Sequence, residues 1–280
     1  MTASTTTSAG KSASTATVSA TDLAGYRTDG YLVIRGMLDA AEVADIKARF
    51  DELAQDGDVI PGHWEPRGGD DPLDRFPRVM HPHRFDPKSR DLLIDPRFRD
   101  VLRQLLDDDP LAVQTMFYFK PPGSRGQAFH QDNYYLRVQP FNCIAAWIAI
   151  DPSTPENGGL ALCPGTQDLD IACPEHADPS VSFTQDFVAP PAGHEPRPLW
   201  LEPGDVLFFN GSVVHGSQPN STPDQWRRSF ISHYMPAAAT HIGAWYLDHA
   251  IDFDGRSFAR EINGAGGPCG DDVKPGGEYH

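Results

Sequence analysis

Leu111-Ala112-Val113-Gln114-Thr115-Met116-Phe117-Tyr118-Phe119, closed by Pro121-Pro122-Gly123, marks where this 280-residue chain changes from helical to extended patterning. The run is apolar, bounded by a turn signal, and predicts a strand. Further strands are predicted downstream at residues 142–150, 160–163, 197–201, 206–209 and 228–234. Asn157-Gly158-Gly159 reads as a hairpin turn joining the first two of these. Upstream the pattern differs. Residues 31–34 read as a short buried strand. Asp39, with Glu42 three residues on, forms a capping box. It opens a helix whose Val43, Ile46, Phe50 and Leu53 share one stripe, and Asp56-Gly57-Asp58 ends it. Asp95-Pro96 opens a second helix with Phe98, Val101, Leu102 and Leu105 on its apolar face, stopped by Asp107-Asp108-Asp109-Pro110. Helices followed by many short strands predict a mainly β fold with flanking helices. The expected form is an antiparallel double-sheet barrel of jelly-roll or cupin type, with the helices packed on one side.

The formal net charge of −16 argues against a nucleic-acid or anionic-membrane partner. No apolar run approaches the length of a membrane span. The four cysteines show no CxxC pairing and read as reduced structural thiols. Residues 1–20 are rich in Ser, Thr and Ala, lack the pattern of a secretory signal, and read as a disordered tail. Residues 263–280 read as a loose Gly-rich tail. A single domain is expected over 21–262, in the cytoplasm, and nothing in the sequence indicates an oligomeric state. Two segments lack periodicity. Residues 61–88, rich in Pro, Gly, Arg and His, are read equally as a solvated loop or as a wall over a site. Residues 165–196, acidic and rich in Pro, form an insertion suited to a lid or a partner surface.

The chemistry starts at His130-Gln131-Asp132. On an extended segment residues i and i+2 face the same way, so one strand end offers an imidazole and a carboxylate together. His215 is the candidate for a third ligand. Two histidines and a carboxylate are the ligand set of non-haem Fe(II) oxygenases, which leaves positions for a bidentate 2-oxo acid and for dioxygen. A His-x-Asp pair alone is more often a surface pair or a structural hydrogen bond. Arg227 and Ser229 add weight. Two residues apart on a strand, they make a receptor for the far carboxylate of a 2-oxo diacid. Arg228 then faces the other way with Phe230, and strand parity does not say which arginine points inward.

His130-Gln131-Asp132-Asn133-Tyr134-Tyr135-Leu136, Ala146-Trp147-Ile148-Ala149, Glu156-Asn157-Gly158-Gly159-Leu160, Pro164-Gly165-Thr166, His215-Gly216-Ser217 and Arg227-Arg228-Ser229, in that order, resemble the phytanoyl-CoA dioxygenase family. The resemblance runs from about Asp22 to Pro236. It implies a double-stranded β-helix that binds Fe(II), 2-oxoglutarate and O2. His130, Asp132 and His215 would be the catalytic metal ligands, and Arg227 would take the carboxylate-binding position. Ser217, Trp147, Gln131, Met116, Ser229 and Gln114 would be further co-substrate contacts. The retained Asp132 implies C–H hydroxylation with release of succinate and CO2 rather than halide transfer.

The expected substrate is a small metabolite: an amino acid, a sugar derivative or a natural-product intermediate. Asn133, Tyr135, His81 and His83 are the candidates for its pocket. An acyl-CoA is a poor match for so acidic a chain, with Arg67, Arg75, Arg78, Arg84 and Arg137 as possible local exceptions. The competing readings are a cupin-type isomerase or hydrolase and a non-catalytic metal-binding barrel.

Overall fold

The computed structural model describes residues 17–246 and 250–264. Most of the two expected tails lies outside the described residues. The helical elements are α1 (Ala20–Asp29), α2 (Ala40–Asp56), α3 (Pro72–Arg75), α4 (Pro87–Leu93), α5 (Pro96–Leu106) and α6 (Asp132–Leu136). Short 3-10 turns span Pro82–Arg84 and Ala244–Tyr246. The first seven strands are β1 (Tyr31–Ile34), β2 (Val79–Met80), β3 (Pro110–Tyr118), β4 (Gln127–His130), β5 (Ile144–Ala149), β6 (Leu160–Leu162) and β7 (Glu175–His176). The remainder are β8 (Asp186–Phe187), β9 (Arg197–Pro198), β10 (Val206–Asn210), β11 (His215–Ser217), β12 (Ser229–Pro236), β13 (His241–Ile242) and β14 (Glu261–Ile262).

Two antiparallel sheets face each other. The larger has the order β1-β10-β5-β12-β3-β2 and the smaller β4-β11-β6-β9. This is the double-stranded β-helix expected from the strand pattern. The strands of the larger sheet are buried on both faces, and their residues divide by parity. Phe117, Ile144, Ala146, Ile148, Phe208 and Phe230 pack against Phe50 of α2 and Phe98 of α5 on the outer face. Met116, Trp147, Leu207, Phe209 and Ile231 turn inward to meet Leu160, Leu162 and Leu201 of the opposite wall.

The helices form for local reasons. The Asp39 carboxylate accepts from the Ala41 and Glu42 amides at 2.9 Å, and Glu42 accepts from the Asp39 amide at 2.9 Å. This is the reciprocal capping box. Asp95 accepts from the Arg97 amide at 2.8 Å, and Pro96 sits at the first helical position.

Several expectations are corrected. Order begins before Thr21: Val18 is buried and Ser19 caps α1, a helix too weakly amphipathic for its periodicity to announce it. Residues 61–88 are not an irregular loop. Asp71 and Asp86 cap α3 and α4, and β2 adds an edge strand to β3. Trp64 is buried against Phe119. Asn157-Gly158-Gly159 does not form a hairpin, because β5 pairs with β10 and β12 whereas β6 pairs with β11 and β9. The segment carries the chain from one sheet to the other. The Asn157 side chain accepts from the Thr154 amide at 2.9 Å and donates to the Pro152 carbonyl at 2.8 Å, which makes a side-chain-stapled turn. Cys143 and Cys163 are free and buried as expected, but Cys173 is disulfide-bonded. Cys269 lies outside the described residues.

The 165–196 segment carries the β7–β8 ribbon and lies along β4, with Val188 donating to the Phe129 carbonyl at 2.7 Å. No described helix is long and apolar enough to cross a membrane.

Candidate active site

β4 and β11 pair antiparallel with His130 opposite His215. The two imidazoles therefore share a face, with ring centroids 4.2 Å apart. Gly216 makes this close strand approach possible: a Cβ there would lie 2.9 Å from the Gln127 carbonyl oxygen. Each ring is aimed by its Nδ1, which lies 2.8 Å from the Ala128 carbonyl in His130 and 2.9 Å from the Val213 carbonyl in His215. A carbonyl can only accept, so Nδ1 carries the proton and Nε2 presents its lone pair inward. The His215 pKa falls from 6.5 to about 4 because burial disfavours its charged form.

Asp132 reaches the same point by a different route from the one parity predicts. The strand ends at His130, and Asp132 opens α6, so the chain turns and lays the carboxylate over the two rings. Its Oδ1 is 3.4 Å from His130 Nε2 and 3.6 Å from His215 Nε2. The three donor atoms lie within 4.8 Å of one another, all on buried residues. Burial alone would raise the Asp132 carboxyl, but the surrounding imidazoles of His215, His233 and His130 hold it well below the usual carboxylate value. Two neutral imidazoles and an ionised carboxylate converging on one point fit a divalent transition metal such as Fe(II).

Sequence reasoning missed His233. It is buried on β12 with Nε2 3.1 Å from Asp132 Oδ2, the oxygen turned away from the other two rings. It lies on the same strand parity as Arg227, Ser229 and Ile231, and that alternation was the available signal.

The other end of the pocket is cationic. Arg227 points inward. Its Nη1 donates to Ser229 Oγ at 2.8 Å, and the guanidinium lies 5.4 Å from the Trp147 ring centre. Burial lowers the Arg227 pKa to about 10, below the ordinary guanidinium value. Beside it is a second residue that sequence reasoning missed. Lys120 is buried and donates to Ser217 Oγ at 2.7 Å. Burial, and then repulsion from Arg227, lower its pKa well below the ordinary value. Among the described residues no carboxylate forms an ion pair with Arg227 or Lys120. The Nε of Arg227 and the Nε2 of Gln114 have no hydrogen-bond partner. Buried donors are ordinarily satisfied, so unfilled ones beside an unpaired guanidinium mark a place for an anionic acceptor. Lys120 breaks strand periodicity with a φ of 39°, immediately before Pro121-Pro122-Gly123, so strand patterning does not place it.

The remaining candidates divide. Gln114, Met116, Trp147, Ser217 and Tyr135 line the metal pocket, and Ser229 meets Arg227 at its edge. The structure takes Gln131 elsewhere. Its amide donates to the Ser212 carbonyl at 2.9 Å and accepts from the Ala172 amide at 2.8 Å, which ties down the 165–196 segment. Asn133 staples the turn after α6 through the Val138 amide at 2.9 Å. His83 Nδ1 lies 2.6 Å from Thr115 Oγ1, and His81 Nε2 accepts from Trp245 Nε1 at 3.2 Å. Neither histidine lines the metal pocket.

A double-stranded β-helix with a buried His-Asp-His cluster at one end of its pocket and a buried arginine at the other defines a metal-dependent barrel protein. A model of the phytanoyl-CoA dioxygenase (PhyH) family matches residues 26–229, and the chain belongs to that family, whose class is the 2-oxoglutarate-dependent oxygenases. The chain is 31% identical to dioxygenase lolE1 of Epichloe uncinata over 78% of its own length and 82% of that protein. It is 24% identical to phytanoyl-CoA dioxygenase domain-containing protein 1 of Mus musculus, over 80% of this chain and 92% of that one. Among solved structures, the non-heme alpha ketoglutarate dependent carbocyclase SnoK superposes with a TM-score of 0.64 at 22% identity, covering 95% of this chain and 97% of that one, and shows the shared fold.

Proposed function

We propose that this protein is an Fe(II)- and 2-oxoglutarate-dependent dioxygenase that hydroxylates an unactivated C–H bond of a small metabolite. The observation that carries the reading is the pocket's polarity. Three donors suited to a metal converge at one end; at the other sits Arg227, with Lys120 behind it on Ser217 and, among the described residues, no carboxylate paired with either. A short diacid is the complement of that arrangement. Arg227, Ser229 and Ser217 hold its far carboxylate, and Met116, Trp147 and Ile231 flank its carbon chain. His130, Asp132 and His215 hold the iron. Bound there with 2-oxoglutarate, iron(II) supplies dioxygen activation coupled to decarboxylation of the co-substrate to succinate and CO2.

The chain's own contribution is orientation and exclusion of water. The Ala128 and Val213 carbonyls fix both imidazoles with Nε2 inward. His233 holds the outer oxygen of Asp132, which leaves Oδ1 directed at the metal position. Trp147 covers the Arg227 guanidinium and strengthens its attraction for an anion by excluding solvent. The carbocyclase with the same fold shows that this scaffold serves other oxidative outcomes. The retained Asp132 favours hydroxylation, because it fills the position a halide would need.

Anaerobic reconstitution with Fe(II) and 2-oxoglutarate tests the reading. A metal-to-ligand charge-transfer band is expected, followed by slow succinate release when oxygen is admitted. Correctly folded protein showing neither would leave only the cupin-type or non-catalytic readings, which give no role to Arg227 and Lys120.

A further inference from the structure

A second recess lies directly against the metal pocket, with Tyr135 and Tyr246 lining both. Tyr134 and Trp245 complete its aromatic walls, and Arg137 supplies its charge. The Tyr134 and Tyr135 rings meet edge to face, with centroids 5.0 Å apart. Trp245, 36% exposed at the opening, is oriented by the hydrogen bond from its Nε1 to His81. His81, expected as a pocket residue, acts here through Trp245.

Arg137 is held in an unusual way. Its backbone adopts a φ of 52°, in the left-handed region that non-glycine residues rarely occupy. Three contacts secure it. The Arg137 amide donates to the Asn133 carbonyl at 3.0 Å, the Asn133 side chain clamps the next residue, and Asn263 donates to the Arg137 carbonyl at 3.1 Å. The guanidinium is not secured to match. Its Nε donates to the Tyr134 carbonyl at 3.3 Å, while Nη1 is buried with no hydrogen-bond partner. No carboxylate among the described residues pairs with Arg137. The nearby Asp186 accepts from the Tyr135 hydroxyl at 2.9 Å. A buried guanidinium donor left unsatisfied beside four aromatic rings is a receptor for an anion that carries an apolar or planar body. Arg137 follows α6 directly, so its distance from Asp132 at the head of that helix is set by one short rigid turn.

We infer that this recess is the substrate subsite, and that the substrate carries an anionic group, a carboxylate or a phosphonate, bound by Arg137. Its apolar body lies among Tyr135, Trp245 and Tyr246 and extends towards the metal ligands. This rests on the oxygenase reading above.

The test uses full-length protein loaded anaerobically with Fe(II) and saturating 2-oxoglutarate, so that the Arg227 end is filled. Phenylphosphonate and phenylacetate are titrated as probes, with benzyl alcohol as the uncharged control, and binding is read from tryptophan fluorescence. At least one anionic probe should bind more tightly than benzyl alcohol, and whichever binds better identifies the anion. Arg137→Gln should weaken that probe about tenfold or more, as expected for loss of a charge-assisted contact. It should leave benzyl alcohol and 2-oxoglutarate binding unchanged, and Arg137→Lys should recover part of the loss. Trp245→Ala should weaken charged and neutral probes alike. Equal affinity of Arg137→Gln and wild type for the anionic probe, with 2-oxoglutarate binding intact, would overturn the assignment. Failure of the wild type to bind Fe(II) and 2-oxoglutarate would overturn the oxygenase reading instead, and the same titration on metal-free protein would still decide the recess.

Discussion

Arg227 and Arg228 are neighbours in sequence and opposites in chemistry. Arg228 faces the helices. It donates to Asp151 at 2.6 Å and to both oxygens of Asp51 at 2.6 and 2.8 Å, and Lys47 meets Asp151 from α2 at 2.9 Å. Every charge in that cluster has an opposite within reach. Arg227 faces the pocket, 3% exposed, with a hydroxyl and an aromatic ring for company. One peptide bond separates a guanidinium that closes a structural network from one left open. A buried cation without its counter-charge is costly, and a protein keeps one where a ligand supplies the missing charge. The outer face of the sheet is finished by folding, and on the function proposed above the inner face is finished by binding.

The contrast can be broken most severely at the metal end. Asp132→Ala should weaken Fe(II) binding and reduce succinate release to background, as read by metal analysis and product assay. The two arginines should then separate cleanly. Arg227→Ala should cost roughly 2–5 kcal/mol of 2-oxoglutarate binding, seen as a raised co-substrate requirement with iron still bound. Arg228→Ala should instead destabilise the fold by roughly 2–4 kcal/mol, since it leaves Asp151 buried without its main partner. That loss should appear in the urea midpoint, with co-substrate affinity unchanged in the folded fraction. Exchanged phenotypes would refute the assignment of faces.

His233→Leu removes the bond to the outer oxygen of Asp132, and metal affinity should fall about 10–100-fold. His233→Gln, which can still donate there, should recover part of it. Lys120→Met sharpens the comparison further. It should weaken 2-oxoglutarate by about tenfold yet leave stability unchanged or raised, because an unpaired buried cation is replaced by an apolar chain of similar length. The most gradual effect concerns pH. Burial lowers the His215 pKa from 6.5 to about 4, so the unfolded chain binds this proton more readily than the folded metal-free protein. Stability should therefore fall as pH drops through that window, by up to about 1.4 kcal/mol per pH unit from this group. Bound metal should suppress the slope, and denaturation of the metal-free and loaded forms at several pH values measures it.

Much of this was legible in the chain. The capping box at Asp39 and Glu42, the stripe on α2 and the apolar runs that form β3, β5, β10 and β12 are properties of short windows. Local pattern reports them because a helix must bury one stripe and a central strand both of its faces. The same windows misled wherever a side chain replaced a backbone pattern. Asn157 staples a sheet-to-sheet crossing with the residues of a hairpin, and Asp71 and Asp86 cap short helices inside a stretch without periodicity. Gln131, between His130 and Asp132 in sequence, turns away from both to hold the insertion.

By itself the sequence determined the barrel, the three residues of the His-Asp-His cluster and the pair of arginines, since each is written in spacing, parity or motif order. Strand parity left the two arginines open, and motif order pointed to Arg227; that Asp132 arrives from a helix and not along the strand, and that His233, Lys120 and Arg137 stand beside the pocket, were decided only by tertiary structure. These depend on contacts between residues 100 or more apart, such as the Asp132–His233 pair, or on single residues such as Lys120 and Arg137 that leave the regular backbone path. Local pattern carries no record of either, because the free energy of such contacts belongs to the assembled pocket and to no one segment of the chain.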